Sequence, residues 1–89
     1  MAKVSIYSKG YCPYCKRAKA TLQDLGLRFE EFDITNNAYY EQEMRQRSKR
    51  HTVPQIFVND QHIGGNDDLQ IALQNGKLNA ILQACTAAA

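Results

Sequence analysis

No apolar run in this chain approaches the roughly 20 residues needed to cross a bilayer, so no membrane-spanning helix is expected. The N-terminal residues hold no long apolar segment ending in a small-residue cleavage site, so no signal peptide is expected either. Neither sign of charge dominates. A net charge of +2 with 22% charged residues gives no case for a nucleic-acid or membrane-surface partner. Cysteine is scarce and odd in number, three in all, and two of them are spaced as Cys12-Pro13-Tyr14-Cys15. That is not the paired framework of a small secreted domain, and a reducing cytoplasm is the expected setting. Proline is scarcer still, with only Pro13 and Pro54, and tryptophan is absent. The 89 residues suffice for one modest core, and one domain over 1–89 is expected. There is no internal repeat, linker or low-complexity segment.

What the chain does have is concentrated around Cys12 to Cys15. Val4-Ser5-Ile6-Tyr7 is β-branched or aromatic at three of four positions and reads as a strand. A short loop with Gly10 follows, and Pro13 stands where a helix begins, since its missing N–H and fixed φ cost nothing there. Cys12 is thus placed at a helix mouth, where unpaired N–H groups carry partial positive charge and stabilise a thiolate. Cys15, Ala18, Leu22 and Leu25 recur at helical spacing as one apolar stripe. Cys15 lies on the edge of that stripe and Cys12 at its open end, which makes Cys12 the nucleophile and Cys15 the resolving thiol. Lys9, Lys16, Arg17 and Lys19 crowd the same region against the helix dipole. They read either as a positive collar that attracts an anionic thiol substrate or as an ordinary solvated helix face.

The first helix is expected from Pro13 to Leu25, closed by Gly26 in the left-handed conformation. Leu27 to Ile34 reads as a second strand, parallel to the first through a right-handed crossover. Asn36 or Asn37 can cap a second helix reaching Ser48, with Tyr40 and Met44 inward. Lys49-Arg50-His51 makes a basic exit loop with no glycine to ease the turn. Gln55 to Val58 and Gln61 to Gly64 form a hairpin across Asn59-Asp60. A third helix, capped by Asn66 or Asp67, faces Leu69 and Leu73 inward and ends at Gly76. Lys77 to Ala84 is a last helix, and the tail from Thr86 to Ala89 is expected to fray. The order is β-α-β-α-β-β-α-α, an α/β fold with a four-stranded mixed sheet flanked by helices. A Cys-x-x-Cys opening the helix of a βαβ unit is the signature of a thioredoxin-like fold.

Three motifs in register then resemble the glutaredoxins of the small dithiol class: CPYC at Cys12 to Cys15, TVPQIF at Thr52 to Phe57, and GGNDD at Gly64 to Asp68. The likeness runs from Val4 to about Leu82. It implies a glutathione-dependent thiol–disulfide oxidoreductase that reduces protein–glutathione mixed disulfides and protein disulfides, with glutathione as co-substrate. It also implies a cis Pro54, with the Val53 backbone pairing to the glutathione chain. Gly64 and Gly65 allow close backbone approach, and backbone N–H groups near Asn66 and Asp67 would take the γ-glutamyl carboxylate, as a helix N-terminus suits an anion. The side chain of Asp67 or Asp68 would take the ammonium; Asp67 as a helix cap is the plainer alternative. Tyr14 would flank the bound sulfur and Lys9 would face the glycyl carboxylate. Thr52 would contribute a hydroxyl or merely end a turn. The partners implied are glutathione and disulfide-containing or glutathionylated proteins, with ribonucleotide reductase suggested by family analogy, and the protein is expected to be a monomer.

The chain departs from the family pattern at three places. Asn66 stands where relatives often have Cys, Ser or Thr. Glu41-Gln42 stands where the second helix often supplies Arg or Gln to the glycyl carboxylate. Lys49 replaces the usual glycine of the exit loop. Some glutaredoxins hold an iron–sulfur cluster between two chains, but a proline after the first cysteine argues against it. Cys12, Cys15, Cys85, His51 and His62 lack the paired spacing of a zinc site, so no metal is expected. Both histidines read as surface residues, and Cys85 as a helix residue outside the motifs. A thioredoxin would carry a Trp beside CGPC, and this chain has neither.

Overall fold

The computed structural model describes residues 3–88, and side chains through 83. The β-branched and aromatic run forms strand β1 at Val4–Ser8, followed by helix α1 at Pro13–Asp24. Strand β2 (Phe29–Asp33), helix α2 (Ala38–Ser48), the hairpin β3 (Gln55–Val58) and β4 (Gln61–Gly64), and helices α3 (Asn66–Gln74) and α4 (Lys77–Ala88) complete the order expected from the sequence. The sheet order is β2-β1-β3-β4, with β1 parallel to β2 and antiparallel to β3, and β3 antiparallel to β4. The hairpin turns on Asn59 and Asp60, both at positive φ (50° and 69°) as a tight primed turn requires.

Strand alternation divides the core between the two faces of the sheet. On one face Val4, Ile6, Ile56 and Val58 pack with Ala18 and Leu22 of α1, Leu69 and Ala72 of α3, and Leu78 of α4. On the other, Tyr7 and Phe57 pack with Ile34 and with Met44 of α2, and Tyr40 lies partly buried against them. The Tyr7 hydroxyl donates to the Glu43 carboxylate and accepts from Arg47 Nη1 at 2.9 Å. The Arg47 guanidinium lies 4.1 Å from the Phe57 ring centroid and reaches Asp60 at 3.2 Å. These contacts pin α2 to the centre of the sheet.

Several boundaries differ from expectation, each for a local reason. Leu25 is 42% exposed, because α1 ends at Asp24 and the chain turns away before that position can face inward. The first residue of α3 is Asn66 itself; Gly65 caps the helix, and the Asp68 carboxylate reaches back to the Gly65 N–H at 2.9 Å. Helix α4 runs past Ala84 to Ala88, so the backbone of that stretch continues the helix. The side chains of 84–88, Cys85 among them, and residue 89 lie outside the described residues. Asn37, one of the two expected caps, accepts from the Tyr40 N–H at 3.0 Å and starts α2.

The exit from α2 carries a testable cost. Lys49 sits at φ 60° and ψ 22°, the left-handed conformation in which a Cβ crowds the backbone. Lys49→Gly is expected to stabilise the fold by about 1 kcal/mol, read as a rise of about 4–8 °C in melting temperature. A melting temperature unchanged or lowered by Lys49→Gly would show that the side chain contributes more than the strain costs.

Candidate active site

Cys12 is the N-cap of α1, with extended backbone (φ −87°, ψ 116°), and Pro13 follows in the first turn. Its sulfur does what a capping oxygen does elsewhere: it accepts the Cys15 N–H at 3.3 Å. The Cys12 backbone is held in turn by its own N–H donating to the Lys9 carbonyl at 3.1 Å. A donor from the helix end is therefore aimed at Sγ, the geometry in which negative charge on sulfur is met by the backbone. Across the sequence, Cys12 Sγ lies 3.9 Å from the Val53 carbonyl. Both cysteines are free thiols, Cys12 partly exposed and Cys15 fully buried. Burial pushes the Cys15 thiol up to about 12, with the Cys12 sulfur beside it adding to the shift. At neutral pH Cys15 is thus a protonated thiol held one turn behind its partner.

Beside Cys12 opens a cavity of about 220 Å³ lined by Tyr14, Arg50, Thr52, Val53, Pro54, Gln55, Gly65, Asn66, Asp67 and Asp68. Its walls come from three separate segments: the mouth of α1, the loop into β3, and the turn from β4 into α3. The Val53–Pro54 peptide is cis, as expected. The second and third walls meet at Gly65, where an added Cβ would be in ordinary van der Waals contact, 3.4 Å from the Pro54 carbonyl oxygen. The first-turn N–H groups of α3 belong to Asn66 and Asp67, where an α-helix leaves its donors without internal partners. Asn66 Oδ1 is buried with no hydrogen-bond partner among the described residues. Tyr14 is 55% exposed, with the Arg17 guanidinium 5.7 Å from its ring centroid.

Eight of the residues singled out from the sequence therefore share one cavity, with Cys12 at its edge. Lys9 is placed differently: its ammonium lies 5.9 Å from the Tyr11 ring centroid, and it does not line the cavity. Glu41 and Gln42 also stand outside it, and Glu41 is paired with Arg45 at 2.9 Å. The cationic collar is smaller than the sequence suggests, because Lys19 is bound to Glu31 at 2.8 Å. That ammonium, and then the Ser8 hydroxyl at 2.6 Å, hold the Glu31 carboxyl below its ordinary range.

Two cavity residues were not anticipated. Arg50 donates to Asp68 Oδ2 at 2.8 Å, and this bond, followed by the one from the Gly65 N–H, lowers the Asp68 pKa. Gln55 is fully buried, and its Nε2 donates to the Thr52 carbonyl at 3.1 Å and to the Thr52 hydroxyl at 3.2 Å. His62, read from the sequence as a surface residue, is partly buried and lies 2.7 Å through Nε2 from Gln55 Oε1. Burial, then the nearby Arg50 charge, lowers its pKa. His51 is exposed, as expected.

Comparison with known proteins places this geometry in a family. The glutaredoxin family model matches residues 4–63. Glutaredoxin 3 of Escherichia coli strain K12 is 52% identical over 83 residues, covering 93% of this chain and the whole of that protein. Among solved structures, the solution structure of a glutaredoxin from Brucella melitensis is 45% identical, with a TM-score of 0.79 over 92% of this chain and 89% of that one. The crystal structure of a buckwheat glutaredoxin–glutathione complex is 31% identical, with a TM-score of 0.82 over 94% of this chain and 79% of that one. The likeness in sequence and in structure thus runs along nearly the full chain, which belongs to the glutaredoxin family of thiol–disulfide oxidoreductases.

Proposed function

We propose that this protein reduces protein–glutathione mixed disulfides and protein disulfides at the expense of glutathione. The observation that carries the reading is the cavity beside Cys12, whose walls offer a cis-proline loop, a helix N-terminus and carboxylates. Glutathione has an extended backbone for the first, a γ-glutamyl carboxylate for the second and an ammonium for the third. The 31% identical buckwheat protein bound to glutathione supports this choice of ligand. In the free protein Asp68 is engaged by Arg50, while Asp67 is exposed at the rim. The unpartnered Asn66 Oδ1 adds a further acceptor suited to the ammonium.

The chemistry follows from the two thiols. Cys12 as thiolate attacks the glutathione sulfur of a mixed disulfide, the S–S bond breaks, and the protein leaves as its thiolate. Cys12 now holds glutathione; a second glutathione thiolate attacks that sulfur, releases glutathione disulfide and restores Cys12. On a protein disulfide Cys12 forms the mixed disulfide with the substrate, and Cys15 displaces it once its proton is lost. Two glutathiones then reduce the Cys12–Cys15 bond. A Cys15 held protonated at neutral pH leaves the Cys12–glutathione intermediate to the second glutathione.

Among the described residues no helix is long and apolar enough to cross a membrane. A cytoplasmic setting, a monomeric state and reductases such as ribonucleotide reductase as recipients accompany the proposal by analogy with the family. The test is turnover of a small glutathione mixed disulfide with glutathione as the reductant. Saturable glutathione-dependent turnover is expected; turnover sustained by another donor and indifferent to glutathione would overturn the reading.

A further inference from the structure

We propose that His62 and Gln55 are positioning residues that form a one-way donor chain ending on Thr52, leaving the Thr52 hydroxyl proton to serve an acceptor oxygen of the ligand. The inference rests on the glutathione reading and deepens it, since it assigns a duty to two residues that do not touch the sulfur chemistry.

The direction of the chain is fixed by what each atom is able to do. The Thr52 carbonyl oxygen only accepts, so the Gln55 atom 3.1 Å away is the amide nitrogen. With the amide turned the other way, two carbonyl oxygens would face each other at 3.1 Å. Gln55 Oε1 therefore points to His62, 2.7 Å from Nε2, and the imidazole carries its proton on that nitrogen. The second Gln55 N–H lies 3.2 Å from Thr52 Oγ1. An amide nitrogen has no acceptor lone pair, so the hydroxyl accepts and its own proton turns elsewhere. Thr52 is exposed and lines the cavity, so that proton is presented to the ligand side.

The chain is also rigid where rigidity is needed. Gln55 has no exposed surface, and Pro54, between it and the cavity loop, is buried as well. The His62 ring lies 5.1 Å from the Phe57 ring, which fixes its plane. Strand pairing of Phe57 with His62 across the hairpin sets the distance between the two ends. A threonine hydroxyl on a loop would otherwise rotate freely and either donate or accept. Here the buried amide commits it to donate, which selects a ligand with a carboxylate or carbonyl oxygen at that place.

The test measures KM and kcat for a small glutathione mixed disulfide. His62→Phe keeps a ring against Phe57 and removes the donor, so KM is expected to rise about fivefold, the effect of one neutral hydrogen bond, with kcat nearly unchanged. His62→Gln restores an N–H donor of similar reach and is expected to bring KM most of the way back. In a Thr52→Val background the chain has no hydroxyl to orient, so His62→Phe should then add nothing to KM. Equal KM increases from His62→Phe with and without the Thr52 hydroxyl would overturn the inference, because the ring would then be acting through packing alone. A normal wild type with an unchanged His62→Phe KM would also overturn it, leaving the glutathione reading intact. A wild type that does not saturate with the glutathione substrate would remove both.

Discussion

Cys12→Ser is expected to lower turnover of a glutathione mixed disulfide by on the order of 10³-fold or more, while Cys15→Ser keeps a rate comparable with wild type. The asymmetry follows from where the two sulfurs sit. Cys12 caps α1, is partly exposed, and receives the Cys15 N–H at 3.3 Å, so the attacking atom is held at the cavity edge with a backbone donor on it. A serine hydroxyl at that place stays protonated and is a poor nucleophile toward disulfide sulfur. Cys15 has no exposed surface and is pushed up to about 12, so it takes no part in a route that needs one thiolate. On an intramolecular protein disulfide the ranking changes: Cys15→Ser is expected to stall as a covalent mixed disulfide, visible on a non-reducing gel. Equal loss from both substitutions on the small mixed disulfide would contradict the assignment.

Gly64→Ala is expected to destabilise the protein by on the order of 3 kcal/mol and to impair the cavity as well. Gly64 lies at φ 119°, where an L side chain is strained, and its added Cβ would clash with Asp68 Oδ2 and lie 2.7 Å from Cγ and 2.8 Å from Cβ. The carboxylate could swing aside, but the Asp68 Cβ is fixed to α3, so the helix start itself must shift. Either movement breaks the bonds from Asp68 to the Gly65 N–H and to Arg50, which shape two walls of the cavity. Gly76→Ala supplies the comparison: its φ is 79° but nothing lies within 4 Å, so strain alone acts, at about 1 kcal/mol. Chemical denaturation of both variants separates clash from strain. Equal losses would mean that the Asp68 contact carries no energy.

Local chemistry made much of this molecule legible in advance. Pro13 after Cys12 marked a helix start, Asn59-Asp60 marked a primed turn, and Gly26 took positive φ where the stripe of α1 ended. The three motifs then brought the cavity walls together. What stayed hidden depends on contacts between distant segments. Arg50 meets Asp68 across 18 residues, and Lys19 leaves the collar for Glu31 on a neighbouring strand, neither of which has a local pattern. Gln55 did carry a signal, a polar residue opening the otherwise apolar strand Gln55–Val58, and such a local conflict often marks a functional position. His62 was reachable too, by counting the hairpin register outward from its turn to Phe57. Lys49 shows a rule broken locally: the exit loop needs a left-handed residue and takes one without glycine's freedom.

Cys12 as the sulfur that carries glutathione is tested by the mass of the Cys15→Ser variant after exposure to glutathione disulfide, with peptide mapping of the adduct. One glutathione on Cys12, removed again by added glutathione, is the expected result. Glutathione absent from Cys12, or no more frequent there than on Cys85, would contradict it.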